Sequence, residues 1–140
     1  MTDPGPLHRL LNPRSIAIIG ISRPAPGKSR VGGGAVLANL RRGGFTGDIT
    51  LVHPSADQID GIDCVRSIGE APGPIDAAVI SLAAAAVPET IRACVAAGIR
   101  SFVVLSAGFS EAGTAEGREL EDELAELSRS EGLAICGPNG

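Results

Sequence analysis

An α/β fold of the Rossmann type, three layers with a mainly parallel sheet of about five strands, is predicted for this 140-residue chain by three observations. Short apolar, β-branched runs alternate with stretches whose apolar residues recur at helical spacing. The first such run, Ile16-Ala17-Ile18-Ile19, is bounded by turn residues, as a strand buried on both faces of a parallel sheet is. A glycine-rich, cationic loop from Gly20 to Gly34 then leads into a helical pattern carried by Val36, Leu37 and Leu40. Strands alternating with helices at these lengths pair in parallel through right-handed crossovers and carry helices on both faces.

The elements follow in order. After a short Leu7–Leu11 segment, the first strand covers about 15–20, and the first helix covers about 30–42, stopped by Gly43-Gly44. The second strand, 48–53, is closed by Pro54. Residues 55–75 read as loop, broken by Gly61 and Pro72-Gly73-Pro74, with a short extended piece near Cys64-Val65. The third strand covers 76–82. The second helix opens with Pro88 as its first residue, aligns Ile91, Cys94 and Val95, and stops at Gly98. The fourth strand is 101–106, followed by a loop over 107–113. A third helix, 114–131, aligns Leu120, Leu124 and Leu127, with its acids off that stripe, and ends at Gly132. Residues 133–136 form the fifth strand.

Composition narrows the function. One domain of this length buries about two-thirds of its unfolded surface. Only three residues are aromatic, Phe45, Phe102 and Phe109, so aliphatic residues build the core and the stacking platforms of nucleic-acid binders are missing. No run approaches the length of a membrane span, and Met1-Thr2-Asp3-Pro4 does not begin a secretory signal. A cytoplasmic protein with neither nucleic acid nor membrane as partner is expected. Cys64, Cys94 and Cys136 are widely spaced and read as reduced structural thiols.

The formal net charge is −4, yet the charge is unevenly placed. No acid occurs between Asp3 and Asp48, whereas Arg9, Arg14, Arg23, Lys28, Arg30, Arg41 and Arg42 all fall there, and Lys28 is the sole lysine. Seven of the sixteen acids lie instead in the third helix, where they read as a solvated face. A strand, glycine loop and helix in succession bring free backbone N–H groups and the positive end of a helix dipole to one point. With Arg23, Lys28 and Arg30 beside it, that point reads as a phosphate cradle.

Ligands of such sheets bind at the carboxyl ends of the strands, near the switch in strand order. The candidate binding residues are therefore Gly20, Ile21, Ser22, Arg23, Lys28, Arg30, Val31 and Gly32 on the first loop. Further candidates are His53 and Pro54, Ser81, Leu82 and Ala83, Ser106, Ala107, Gly108 and Phe109, and Asn139. A nicotinamide dinucleotide is the default ligand, and two features oppose it. The loop has Gly20-Ile21-Ser22 in place of G-x-G-x-x-G, and the second strand ends in His53-Pro54-Ser55 without the carboxylate that would hold a ribose. Asp57 lies beyond the proline.

Several segments together carry a resemblance. Leu11-Asn-Pro-Arg-Ser-Ile-Ala-Ile-Ile-Gly-Ile-Ser22, Val31-Gly-Gly, Gly43-Gly-Phe-Thr-Gly-Asp-Ile, Val52-His-Pro, Gly61-Ile-Asp-Cys, Ile75-Asp-Ala-Ala-Val-Ile, Ser106-Ala-Gly-Phe-Ser-Glu111 and Gly137-Pro-Asn139 occur in this order. The chain so resembles, over nearly its whole length, the amino-terminal CoA-binding domain of NDP-forming acyl-CoA synthetases, acid-thiol ligases related to the succinyl-CoA synthetase α subunit. The resemblance implies coenzyme A or acyl-CoA at the strand ends, with its phosphates near the first loop, and other ligase domains or subunits as partners. In that family acyl transfer runs through a phosphohistidine in a later domain. ATP or ADP and Mg belong to a further nucleotide-grasping domain. Neither domain is expected in residues 1–140, and His8 and His53 match no phosphohistidine motif. Two departures stand out: the family commonly has Val-Asn-Pro-Lys where this chain has Val52-His53-Pro54-Ser55, and Gly-Pro-Asn-Cys where it has Gly-Pro-Asn-Gly140.

Chemistry beyond binding has little support. Ser106 and Ser110 lack a histidine at nucleophile–base spacing, and no His or Cys cluster offers a metal site, so no catalytic or metal residue is assigned. The N–H groups of Ala107 to Phe109 either hold a carbonyl or phosphate or form a plain turn, and Glu111 caps or orients that loop. The first expectation is thus a CoA-binding module inactive by itself. The rivals are an NAD(P)-binding oxidoreductase domain and a stand-alone CoA-sensing protein.

Overall fold

The computed structural model describes residues 3–138, so Asn139 lies outside the described residues. All five expected strands are present: β1 (Ser15–Ile19), β2 (Asp48–Val52), β5 (Ala77–Ile80), β6 (Ser101–Val104) and β7 (Ala134–Cys136). Two more, β3 (Gln58–Ile59) and β4 (Ile62–Val65), complete a seven-stranded sheet of order β3-β4-β2-β1-β5-β6-β7. Every pairing is parallel except β3 with β4. β4 falls on the extended piece expected near Cys64-Val65, whereas β3 and the tight hairpin joining them stand where loop was expected. Its turn places Asp60 at φ 54° and Gly61 at φ 80°, the left-handed pair that joins two twisted strands tightly.

The helices are α1 (Pro6–Leu11), α2 (Gly32–Arg42), α3 (Val87–Ala96) and α4 (Ala115–Glu131). α3 begins one residue before Pro88, after a 3₁₀ turn over Ala84–Ala86. α4 is capped by Thr114, whose side chain accepts the Gly117 N–H at 2.9 Å, and ends on Gly132 in the left-handed conformation.

Both faces of the sheet are covered, which explains why β1 and β5 are buried at every position. On one face Leu37 of α2 packs with Ile16, Ile18, Leu51 and Val79. On the other, Val87, Ile91 and Cys94 of α3 and Leu124 and Leu127 of α4 close over Ala17, Ile19, Ala78, Ile80 and Phe102. Burial pushes the Cys94 thiol up to about 12, an inert thiol as expected, whereas Cys136 is exposed on the edge strand and fills no core position. No helix among the described residues is long and apolar enough to cross a membrane.

Candidate functional site at the strand ends

The chain leaves β1 to one side of the sheet, through α2 to β2, and leaves β5 to the other, so strand order switches between β1 and β5. A crevice opens at such a switch, outside the carboxyl ends of the strands. Here the two ends are drawn together, with the Ser81 N–H donating to the Ile19 carbonyl at 2.9 Å.

Glycine permits this closeness. A Cβ on Gly20 would overlap the Ser81 carbonyl oxygen and stand 2.6 Å from its carbon. On Gly33 it would stand 2.9 Å from Ile18 Cγ2 and 3.0 Å from the Gly20 oxygen, so the first turn of α2 lies directly against the end of β1. No side chain caps α2, and its first turn holds no acid. Its amino-terminal N–H groups and dipole thus face the switch point without a competing carboxylate.

Of the three loop cations, Arg23 and Lys28 are exposed and make no ion pair or side-chain hydrogen bond among the described residues. Arg30 departs from the expectation of a cation with no acid nearby. Both its terminal nitrogens, Nη1 and Nη2, donate to the Asp60 carboxylate, Nη2 at 3.2 Å from Oδ1, and Arg41 Nη2 donates to the Asp60 carbonyl at 2.6 Å. The hydrogen bond from Arg30 holds the Asp60 carboxyl below the usual carboxylate range. The acid is thirty residues away in sequence and arrives by way of the β3–β4 hairpin. Asp60 and its role escaped the sequence reading, although Asp60-Gly61 between two isoleucines is a hairpin signal.

The remaining candidates divide between surface and interior. Val31, the residue before α2, is 80 % exposed, and Ser22, Pro54, Ala83 and Ala107 are also exposed. Ile21 is buried, and Phe109 is completely buried in the core, so its side chain packs where a ligand contact was expected. The Ser106 hydroxyl, 5 % exposed, accepts the Leu82 N–H at 3.0 Å and ties the ends of β5 and β6. Glu111 closes the next loop: its Oε1 accepts the N–H groups of Gly108 at 2.5 Å and Phe109 at 3.0 Å. Those two donors, expected as an alternative cradle, are therefore taken. The same hydrogen bonds hold the Glu111 carboxyl below its usual range.

At the end of β2, His53 Nδ1 accepts the N–H groups of Ser55 at 3.0 Å and Ala56 at 2.8 Å. Arg66, another residue the sequence did not single out, clamps this turn by donating to the Ala56 carbonyl at 2.6 Å and pairing with Asp57. Between β1, β2 and α3 an open depression of about 300 Å³ is lined by Ile19, Val52, Ser67, Ile68, Ala86, Glu89, Thr90 and Ala93. A larger cleft of about 580 Å³, lined by Arg14, Asp48, Pro72 and Asp76 among others, lies at the opposite, amino-terminal ends of the strands. Among the described residues no cluster of His, Cys, Asp or Glu could hold a metal ion.

Fold and topology define a Rossmann-like α/β domain with a strand-order switch between β1 and β5. Residues 14–140 match the profile of the CoA binding domain family, and the chain belongs to that family. It is 40 % identical over 133 residues to the ADP-forming acetate-CoA ligase II of Archaeoglobus fulgidus, covering 95 % of this chain and 19 % of that protein. It is 36 % identical over 137 residues to the α subunit of the ADP-forming acetate-CoA ligase I of Pyrococcus furiosus, covering 95 % and 29 %. A solved structure of the dinucleotide-forming acetyl-coenzyme A synthetase 1 of Ca. Korarchaeum cryptofilum, in complex with phosphate and ADP, superposes with a TM-score of 0.83 at 38 % identity, over 95 % of this chain and 27 % of that one. The chain thus spans between a fifth and a third of the length of these relatives.

Proposed function

We propose that this chain binds coenzyme A across the carboxyl ends of β1, β5 and β2, as the CoA-binding domain of an NDP-forming acyl-CoA synthetase. The observation that carries the reading is the glycine loop: an uncapped, acid-free helix start set against the strand switch, preceded by Arg23 and Lys28, which are exposed and make no ion pair among the described residues. Coenzyme A carries a pyrophosphate and a 3′-phosphate. Open N–H groups at a helix start and two exposed cations match that charge, and charge-assisted hydrogen bonds to phosphate are the strongest such a loop can make. The apolar depression beside Ile19 and Val52 gives an uncharged part of the ligand a seat. Family membership and the names of the relatives support the same ligand.

An NAD(P) reading is not favoured. The acid nearest the end of β2, Asp57, is paired with Arg66 and lies beyond Pro54, so no free carboxylate stands ready for a ribose. In the proposed parent reaction this domain presents the thiol, while other domains or a partner subunit supply the phosphorylated histidine, ATP or ADP, and Mg. Calorimetric titration with CoA, dephospho-CoA and NAD tests the reading. CoA is expected to bind with a Kd between about 1 μM and 1 mM, a range of about 4 to 8 kcal/mol. Dephospho-CoA should bind more weakly and NAD not measurably. Equal affinity for NAD and CoA would refute it.

A further inference from the structure

His53 stands one residue beyond the end of β2, the neighbour of β1, from whose end the glycine loop leaves. Its main chain still belongs to the sheet, the N–H donating to the Val65 carbonyl at 2.9 Å. Its ring is turned to its own chain. Nδ1 accepts from both Ser55 N and Ala56 N, and those two N–H groups have no other acceptor among the described residues. A nitrogen that accepts carries no proton, so the neutral ring keeps its proton on Nε2. This is the arrangement by which Asn or Asp closes a turn onto its own backbone, here made by an imidazole. The turn has two further anchors: Ala56 is buried among the residues under α2, and Arg66 donates to its carbonyl.

We propose that His53 is a positioning residue whose neutral imidazole holds the 53–56 turn as one wall of the ligand crevice, making ligand affinity dependent on the protonation of that ring. A second proton goes onto Nδ1, the only open position. It removes the acceptor and sets a charged N–H against two backbone donors, so the turn loses its closure. An asparagine at this position would keep the acceptor and lose the switch. The proposal rests on the CoA reading for its ligand, whereas the turn itself does not.

Other charged and titratable groups surround the turn. Arg66 and Asp57 form one pair, and Glu70 accepts the Arg66 N–H at 3.2 Å. The Cys64 thiol on β4 is raised by burial, with Arg66, Asp57, Asp63 and Arg23 acting on it. CoA itself carries a phosphate monoester that titrates near neutrality, so acid weakens binding for a reason unrelated to His53. Comparing variants at one position holds all of these constant.

The experiment has two arms on wild type, His53→Asn and His53→Ala, at about pH 8 and pH 5, the span over which histidines change charge. The first uses ¹⁵N NMR of the ligand-free protein. At the higher pH the wild-type ring should carry its proton on Nε2. The Ser55 and Ala56 amide signals should shift with ring protonation in wild type and stay still in His53→Asn. The second measures CoA affinity. His53→Ala should raise Kd by about fivefold or more at the higher pH, the lower bound for two lost backbone hydrogen bonds, and His53→Asn should rescue most of it. On acidification wild type should lose several-fold more affinity than His53→Asn. A proton on Nδ1 at the higher pH, or amides indifferent to His53→Ala, overturns the turn. Equal loss of affinity in wild type and His53→Asn overturns its role in binding. Failure of every variant to bind CoA at either pH, with the amide signature intact, overturns the CoA reading and leaves only the turn.

Discussion

Replacing Gly20 by alanine separates the two reasons a glycine stands at the end of β1. The residue sits at φ +95°, where an L side chain costs about 1–2 kcal/mol through its clash with the following carbonyl. Its Cβ would also overlap the Ser81 carbonyl oxygen, 2.6 Å from Ser81 C and 3.0 Å from Leu82 Cδ2, so β1 and β5 must part at their hydrogen-bonded ends. Overpacking against backbone adds about 1–3 kcal/mol, for a total of about 2–5 kcal/mol. That is a large part of the ~5–15 kcal/mol by which a domain is stable. Two controls isolate the terms. Gly44 lies at φ +77° with nothing near its Cβ position, so Gly44→Ala should lose only the conformational cost of about 1–2 kcal/mol. Gly73 has neither a positive φ nor a neighbour within 4 Å, and Gly73→Ala should be neutral or stabilising by about 0.4–1 kcal/mol through the unfolded chain. Urea unfolding of the three variants and wild type measures these differences, and CoA titration of Gly20→Ala reports the crevice. Equal losses in Gly20→Ala and Gly44→Ala would refute the close approach of β1 and β5.

Three further outcomes follow from the site. Lys28→Ala and Arg23→Ala should each weaken CoA about tenfold or more and leave pantetheine unchanged, because only the nucleotide end carries phosphates. Arg30→Ala should weaken both ligands modestly, since its guanidinium is engaged by Asp60, and identical CoA titrations for wild type and all three variants would remove the loop from the site. Glu111 has a carboxyl lowered by the Gly108 and Phe109 N–H groups, so its contribution to stability is present above the ordinary carboxylate range and lost as pH falls through the depressed native value. The stability gap between wild type and Glu111→Ala in urea should therefore shrink in acid, and a gap independent of pH would count against the hydrogen bonds. Finally, the chain incubated with radiolabelled ATP should stay unlabelled, because neither His8 nor His53 sits in a phosphohistidine motif. A stoichiometric acid-labile phosphate lost in His53→Ala would identify a catalytic unit.

The sequence by itself determined the α/β class, five of the seven strands in order, the stop of α4, and the family. These rest on local signals: a run of β-branched residues buried on two faces is apolar throughout, a helix on one face repeats its apolar residues at 3.6, and glycine marks where a chain must turn left-handed. Of the β3–β4 hairpin only the extended piece near Cys64-Val65 was read, because strands of two and four residues are too short to show a period, and the turn signal Asp60-Gly61 was passed over. Tertiary structure alone decided which polar groups are free. Arg30 looked unopposed because charge was counted along the chain, whereas the pairing of β4 with β2 carries Asp60 to it across thirty residues. Phe109 and Ser106 read as strand-end candidates from sequence, and only the packing of α4 and the tie between β5 and β6 show that their side chains point inward. Glu111 and His53 spend their acceptors on neighbouring N–H groups, a choice set by the path of each turn. Local pattern records how deep a residue lies, and topology determines which partner meets it there.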